Sequence, residues 1–315
     1  MTDTETQAPR GEQFDGGAPE TGEISVIGVI GAGTVGVGVA QAFAQAGCRV
    51  ILVDVRKEAL DEARRRIGQN DRFASLMGAA AQPGAGSAGT GDIEYTTDHG
   101  ALAAAGYVVE NIVENWPAKQ ALYQHLDEVW APECILAVNT SAIPVTKVAS
   151  ATTRPDRVLG NHFMTPAHLM PTVEVVRGFH TSEQTLGTAC ALLARIGKQT
   201  VVVEDSPGFV TNRVAMLTVN EAAFLLQEGV SSAAQIDRLF RQCFGHSMGP
   251  LETADLIGLD TVLYSLEVLL EEFNDPKYRP APLLRKHVAA GLLGRKTGRG
   301  FHTYAGAAAD LGGTR

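Results

Sequence analysis

The sequence predicts an α/β protein in two parts: an N-terminal, mostly parallel, doubly wound sheet followed by an all-α C-terminal domain. Three observations carry that expectation. Short β-branched runs alternate with helical stretches from residue 24 to residue 204. A glycine-rich turn, Gly31-Ala32-Gly33-Thr34-Val35-Gly36, joins the first run to the first helical stretch. Beyond Asp205-Ser206-Pro207-Gly208 the periodicity is helical throughout.

Each element has its own reason. Residues 24–30 are a β-branched run and read as a buried strand. Residues 37–46 are Ala-rich with apolar side chains at helical spacing, and Gly47 stops them. Residues 49–54 form a second strand that ends in Asp54. A helix follows over 58–73, and the Ala/Gly run 78–91 reads as a flexible loop. Residues 107–114, 135–139 and 158–164 read as strands, with an amphipathic helix over 118–129. Strands at 172–176 and 199–204 flank a helix at 182–196. Past residue 205, helices fit 209–228, 233–243, 259–273 and 281–290, and Pro207 sits where a helix start tolerates it. The expected organisation is a disordered tail 1–22, a nucleotide-binding domain 23–205, a helical domain 206–304 and a flexible tail 305–315.

Composition narrows the class. The chain has 315 residues, which at ~150 residues per domain suggests two domains. With 26 basic against 35 acidic residues, the net charge of −9 offers no electrostatic reason for nucleic acid or an anionic membrane surface. An apolar share of 45% and a charged share of 19% exclude chain-wide disorder and a collagen-like repeat. Cys48, Cys134, Cys190 and Cys243 lie far apart without a CxxC, so the expectation is that most are buried thiols in a reducing compartment, with no metal site. The polar N-terminus lacks a signal-peptide pattern, and no run of ~18 apolar residues suggests a membrane helix, so the expected location is cytoplasmic.

A bare GxGxxG is as often a glycine-rich turn as a phosphate site. Here it follows a strand, opens a helix, and precedes an acid, Asp54, by about 20 residues. Gly31 permits the tight turn, Gly33 lets backbone approach a pyrophosphate, and Gly36 lets helix and strand pack closely. Thr34 and Val35 lie in the turn that leads into the helix, whose free N–H groups and positive end attract phosphate. Asp54 would accept hydrogen bonds from a ribose and repel a 2′-phosphate, which favours NAD; Arg56 leaves NADP open. The plainer reading of Asp54 is a turn or cap acid.

His162 closes a strand at the sheet edge where open α/β folds place ligands. Glu174 lies within Thr172-Val173-Glu174-Val175-Val176, and a carboxylate among β-branched residues is costly to bury unpaired. A histidine partner would satisfy it and form a base with its orienting group. The alternative is a core histidine and a surface-facing glutamate.

Together these segments resemble the 3-hydroxyacyl-CoA dehydrogenase family. The likeness runs from Val29-Ile30-Gly31 through residues 109–115, Asn139-Thr140-Ser141, His162-Phe163-Met164-Thr165-Pro166, residues 205–213, residues 248–260 and the ending Gly294-Arg295-Lys296-Thr297-Gly298. The resemblance implies a Rossmann-type domain that binds NAD. It implies His162 as general base for the 3-hydroxyl and Glu174 as the group that holds it. Ser141 and Asn212 would contact the reacting oxygen, and Glu114, Lys119 and Asn139 would lie near the nicotinamide half. The implied substrate is an acyl thioester of the L (S) series, and the implied assembly is a homodimer through the helical domain.

Two departures bear on the carrier. Thr165 stands where the family usually has Asn, and the charged hairpin that helps hold coenzyme A is replaced by Arg64-Arg65-Arg66 and the 78–91 run. Residues 162–174 and 244–250 look closer to members that oxidise a hydroxyacyl group on an acyl-carrier protein, in alkoxymalonyl extender-unit and polyketide biosynthesis. The alternatives are fatty-acid β-oxidation, or a free hydroxy acid held by Arg213 or Arg177. A non-catalytic NAD-binding dimer disagrees with the presence of His162, Glu174 and Asn212.

Overall fold

The computed structural model describes residues 24–76 and 92–304. The expected tails and the 78–91 loop lie outside the described residues.

β1 (Val26–Ile30), α1 (Thr34–Gln45) and β2 (Arg49–Val53) form the first unit, followed by α2 (Lys57–Leu76) and β3 (Ile93–Thr96). Next come β4 (Tyr107–Glu110), α3 (Trp116–Leu126), β5 (Ile135–Val138), α4 (Val145–Ala149) and β6 (Val158–Phe163). β7 (Thr172–Arg177), α5 (Glu183–Arg195) and β8 (Gln199–Glu204) complete the sheet. Its order is β3-β2-β1-β4-β5-β6-β7-β8. Every pair is parallel except β6 with β7. The exception has a simple cause. Only the short loop 164–171 joins these two strands, and a parallel return needs a crossover of roughly a dozen residues or more.

Strand alternation sends side chains to two cores. Val29, Val50, Leu52 and Val109 pack with Phe43, Leu186 and Leu193 beneath α1 and α5. Ile51, Val53, Val108 and Leu136 pack with Tyr123, Leu126 and Val148 on the other face. Burial on both faces explains why these strands read as continuous apolar runs.

The helical domain consists of α6 (Thr211–Gln227), α7 (Ala233–Phe244), α8 (Pro250–Ile257), α9 (Leu259–Phe273) and α10 (Pro282–Ala289). Its core is built from Met216, Val219, Leu251, Leu266, Leu269 and Tyr278. Phe209, just before α6, inserts into the second core of the sheet domain and anchors the junction.

Some elements differ from the sequence reading. β3, α4 and α8 were not expected from periodicity. The strand expected over 107–114 stops at Glu110, and residues 111–115 leave the sheet as a loop. Asn115 then caps α3 by accepting from the Ala118 N–H, with Pro117 in the first turn, so the helix starts earlier than expected. Cys48 and Cys134 are buried, Cys190 is half-buried and Cys243 is exposed; all four are free. Among the described residues no helix is long and apolar enough to cross a membrane.

Candidate active site

The sheet order reverses between β1 and β4, and that switch point opens a crevice beyond the strand ends. Gly31 turns the chain there with φ +92°, a conformation L side chains rarely adopt. A Cβ on Gly36 would sit 1.8 Å from the Gly31 carbonyl oxygen, so α1 can approach β1 this closely only with glycine. Gly33 is different. Its backbone is ordinary extended chain (φ −75°), and a Cβ there would meet no protein atom within 4 Å. Neither strain nor packing requires glycine at 33, whereas a ligand lying against the backbone would. No side chain caps the first turn of α1, which leaves the N–H groups of Thr34 and Val35 facing outward for an anion.

Asp54 braces this turn. Its Oδ2 accepts from the Ala32 N–H at 2.8 Å and its Oδ1 from the Arg56 N–H at 2.9 Å. Each oxygen keeps a lone pair for a ribose hydroxyl. The Arg56 guanidinium lies 3.9 Å from Asp54 Oδ1. Exposed Val55 and Val113 offer apolar surface at the ends of β2 and β4. The residues present therefore fit a dinucleotide.

Across the crevice, the antiparallel register sets His162 directly opposite Glu174. His162 Nδ1 lies 2.9 Å from Glu174 Oε2, and Nε2 lies 3.1 Å from Ser141 Oγ. These partners assign the proton to Nδ1 and leave the Nε2 lone pair toward the serine. Both side chains are buried, at 7% and 5% exposure, so the carboxylate must be satisfied internally. Glu174 Oε1 accepts from the Val210 and Thr211 N–H groups, at 2.9 and 3.2 Å. The Thr211 hydroxyl donates to Oε2 at 2.6 Å.

Burial pushes the Glu174 pKa up, but hydrogen bonds from His162, Thr211 and the Val210 backbone outweigh it and lower it from 4.5 to about 2. Between those values the unfolded chain binds a proton that the folded chain does not. The stabilisation is present above pH 4.5 and is lost as pH falls toward 2, on the order of 3 kcal/mol. In urea denaturation, the stability gap between wild type and Glu174→Gln should be widest near pH 6 and should shrink toward pH 2. A gap that does not change with pH would show that Glu174 is not an ionised partner.

Ser141 follows β5 and is fixed by Glu114. Glu114 Oε1 accepts from the Ser141 and Ala142 N–H groups, each at 3.1 Å, and from the Thr140 hydroxyl. Asn139 bridges three strand ends: its Oδ1 accepts from the Phe163 N–H at 3.1 Å and its Nδ2 donates to Asn111 Oδ1 at 2.9 Å. Asn212, on the first turn of α6, donates from Nδ2 to the Ser141 carbonyl at 2.7 Å. The helical domain therefore holds the serine loop directly.

Lys119, expected near the nicotinamide half, sits below the surface beside Glu114. Its side chain is fully buried, and Nζ donates to both Glu110 oxygens at 2.8 and 2.7 Å. The Tyr123 hydroxyl donates to the same carboxylate. The cause is Glu110 itself, which ends β4 inside the core and needs a counter-charge there. Nζ lies 3.9 Å from Glu114 Oε2, so Lys119 supports the site from beneath.

Sequence reasoning missed Glu110, Tyr123, Asn111 and Thr211. Glu110 carried the same signal as Glu174, a carboxylate in a β-branched run. The three arginines of α2 do not act as one patch. Arg64 stacks over Tyr95, and Arg65 pairs with Glu62. Arg66 lines a cavity of about 280 Å³ with Thr34, Gln69, Asn70, Thr165 and Pro166.

A switch-point crevice moulded for a dinucleotide, opening onto a buried imidazole, defines the class as an NAD-binding oxidoreductase. Comparison with known proteins then gives the family. Residues 26–206 match the 3-hydroxyacyl-CoA dehydrogenase NAD binding domain, and residues 208–304 match the 3-hydroxyacyl-CoA dehydrogenase C-terminal domain. The chain belongs to the 3-hydroxyacyl-CoA dehydrogenase family. It is 44% identical over 278 residues to a probable 3-hydroxybutyryl-CoA dehydrogenase of Deinococcus radiodurans, covering 88% of this chain and 99% of that one. A probable 3-hydroxybutyryl-CoA dehydrogenase of Bacillus subtilis is 43% identical, with 90% and 98% covered. Among solved structures, (S)-3-hydroxybutyryl-CoA dehydrogenase of Ralstonia eutropha superposes with a TM-score of 0.80 at 40% identity, covering 90% of this chain and 100% of that one.

Proposed function

We propose that this protein oxidises a short (S)-3-hydroxyacyl-CoA, of the 3-hydroxybutyryl class, to the 3-oxoacyl thioester. The observation that carries the reading is the chain Glu174–His162–Ser141, with Nδ1 engaged by the carboxylate and Nε2 presented to the serine hydroxyl. The substrate 3-hydroxyl lies within hydrogen-bond reach of both Nε2 and Ser141 Oγ, replacing their direct contact. Nε2 accepts its proton, and the Glu174 carboxylate stabilises the imidazolium that forms. Ser141 donates to the same oxygen as negative charge develops on it. Asn212 fixes the serine loop through the Ser141 carbonyl. Gly31, Gly33, Thr34, Val35, Gly36 and Asp54 hold the cofactor's phosphates and ribose, with Glu114 and Asn139 shaping the inner end of the crevice. Bound NAD supplies the hydride acceptor.

The proposed carrier is coenzyme A; Arg66, which lines a cavity with Gln69 and Asn70, offers a cation to its phosphates. An acyl-carrier protein, with a polyketide role, is the second reading; it needs a basic docking face, and Arg65 is already paired with Glu62. The proposed assembly is a homodimer through the helical domain, where Val214, Leu239, Phe244, Leu256 and Ile257 are exposed.

NADH formation is the test, measured with (S)-3-hydroxybutyrate as the CoA thioester, on a carrier protein and as the free acid. The expected kcat/KM is highest for the CoA thioester, by roughly 100-fold or more over the free acid, because remote binding energy drives the step. A carrier-protein substrate that outperforms CoA would reassign the carrier, and equal turnover of the free acid would overturn the thioester reading.

A further inference from the structure

We propose that Thr211 is a positioning residue whose hydroxyl shares Glu174 Oε2 with His162 and so moderates the basicity of the imidazole. The inference rests on the reading of His162 as the base and adds a residue to it.

The geometry is specific. Thr211 is the first residue of α6, a 17-residue helix of the helical domain, yet it reaches back to the sheet domain. Its hydroxyl is 2.6 Å from Glu174 Oε2, the oxygen that also faces His162 Nδ1 at 2.9 Å. The same hydroxyl lies 3.3 Å from Nδ1. Its N–H, with that of Val210, occupies Oε1. Glu174 is thus held by the start of α6 and stabilised by the positive end of that helix. The carboxylate that steadies the base is also held by the other domain, which ties the base to the seat of α6.

Each donor to a carboxylate stabilises its anion, which leaves it a weaker acceptor for the next. The Thr211 proton competes with the imidazolium for Oε2. Removing the hydroxyl concentrates the carboxylate on His162, favours the protonated ring and raises its titration midpoint. Beyond the pair, charge lies on Glu114, which accepts from the Ser141 N–H, and on Lys119, 3.9 Å from Glu114 Oε2. Ser141, Phe209 and Asn212, which complete the surroundings, are uncharged. None of these changes in the test.

Thr211→Val keeps the side-chain shape at an exposed position, and Thr211→Ser restores the hydroxyl. In cofactor-free protein, the His162 imidazole is titrated by NMR, its signal assigned by its loss in His162→Gln. The acidic limb of the kcat/KM profile for oxidation is measured in parallel. The midpoint should rise by roughly 0.5 pH unit or more in Thr211→Val and return to the wild-type value in Thr211→Ser. An NMR midpoint that stays put or falls in Thr211→Val would overturn the inference, whatever happens to kcat. A raised NMR midpoint with an unmoved kinetic limb keeps the Thr211 assignment and removes His162 as the base.

Discussion

His162→Gln should reduce kcat for oxidation by about 10³- to 10⁴-fold while NAD affinity stays within roughly twofold of wild type. In the proposed mechanism the ring nitrogen facing Ser141 Oγ at 3.1 Å accepts the proton, and glutamine cannot take one up. The cofactor crevice lies on the β1–α1 side of the switch point, built from residues that do not touch His162. Glu174→Gln should show a related but smaller loss, near 10²-fold, because the imidazole remains while its anionic partner is gone. Steady-state rates together with a fluorescence titration of NAD separate the two effects. Loss of NAD binding along with rate in His162→Gln would place the histidine in the cofactor site instead.

The glycine turn should divide into two behaviours. Gly36→Ala forces a Cβ to 1.8 Å from a backbone oxygen, and neither partner is a flexible side chain. Destabilisation of about 3 kcal/mol or more is expected, as for other overpacked backbone contacts. Gly33→Ala meets open space on ordinary backbone, so its melting temperature should match wild type. Its NAD affinity should nevertheless fall tenfold or more, because the added methyl occupies the approach to the phosphates. Thermal denaturation and NAD titration of both variants check this. Undiminished NAD binding by a folded Gly33→Ala would move the pyrophosphate away from this turn.

The parts legible in the sequence were the local ones. The β1–α1–β2 unit shows in its own residues, because β-branched runs, glycine chemistry and an acid at fixed spacing are all short-range signals. His162 and Glu174 could be suspected as partners because a buried carboxylate needs one. Their antiparallel register, which makes the pair, follows from the short 164–171 connection. Lys119 could not be placed, since its partner Glu110 depends on where β4 ends and α3 begins, and that boundary was misjudged by several residues. Thr211 was invisible for a different reason: its hydroxyl matters only because two domains meet there. Arg64-Arg65-Arg66 are contiguous in sequence, but helical geometry points consecutive side chains in different directions, and each has its own neighbours.

The most direct test is a single turnover with excess enzyme, saturating NAD and (S)-3-hydroxybutyryl-CoA, followed by NADH absorbance in wild type and His162→Gln. Rapid stoichiometric NADH in wild type, and formation slowed by about 10³-fold or more in a variant that still holds NAD, is the expected result. Equal rates in the two proteins would contradict a proton-accepting imidazole at position 162.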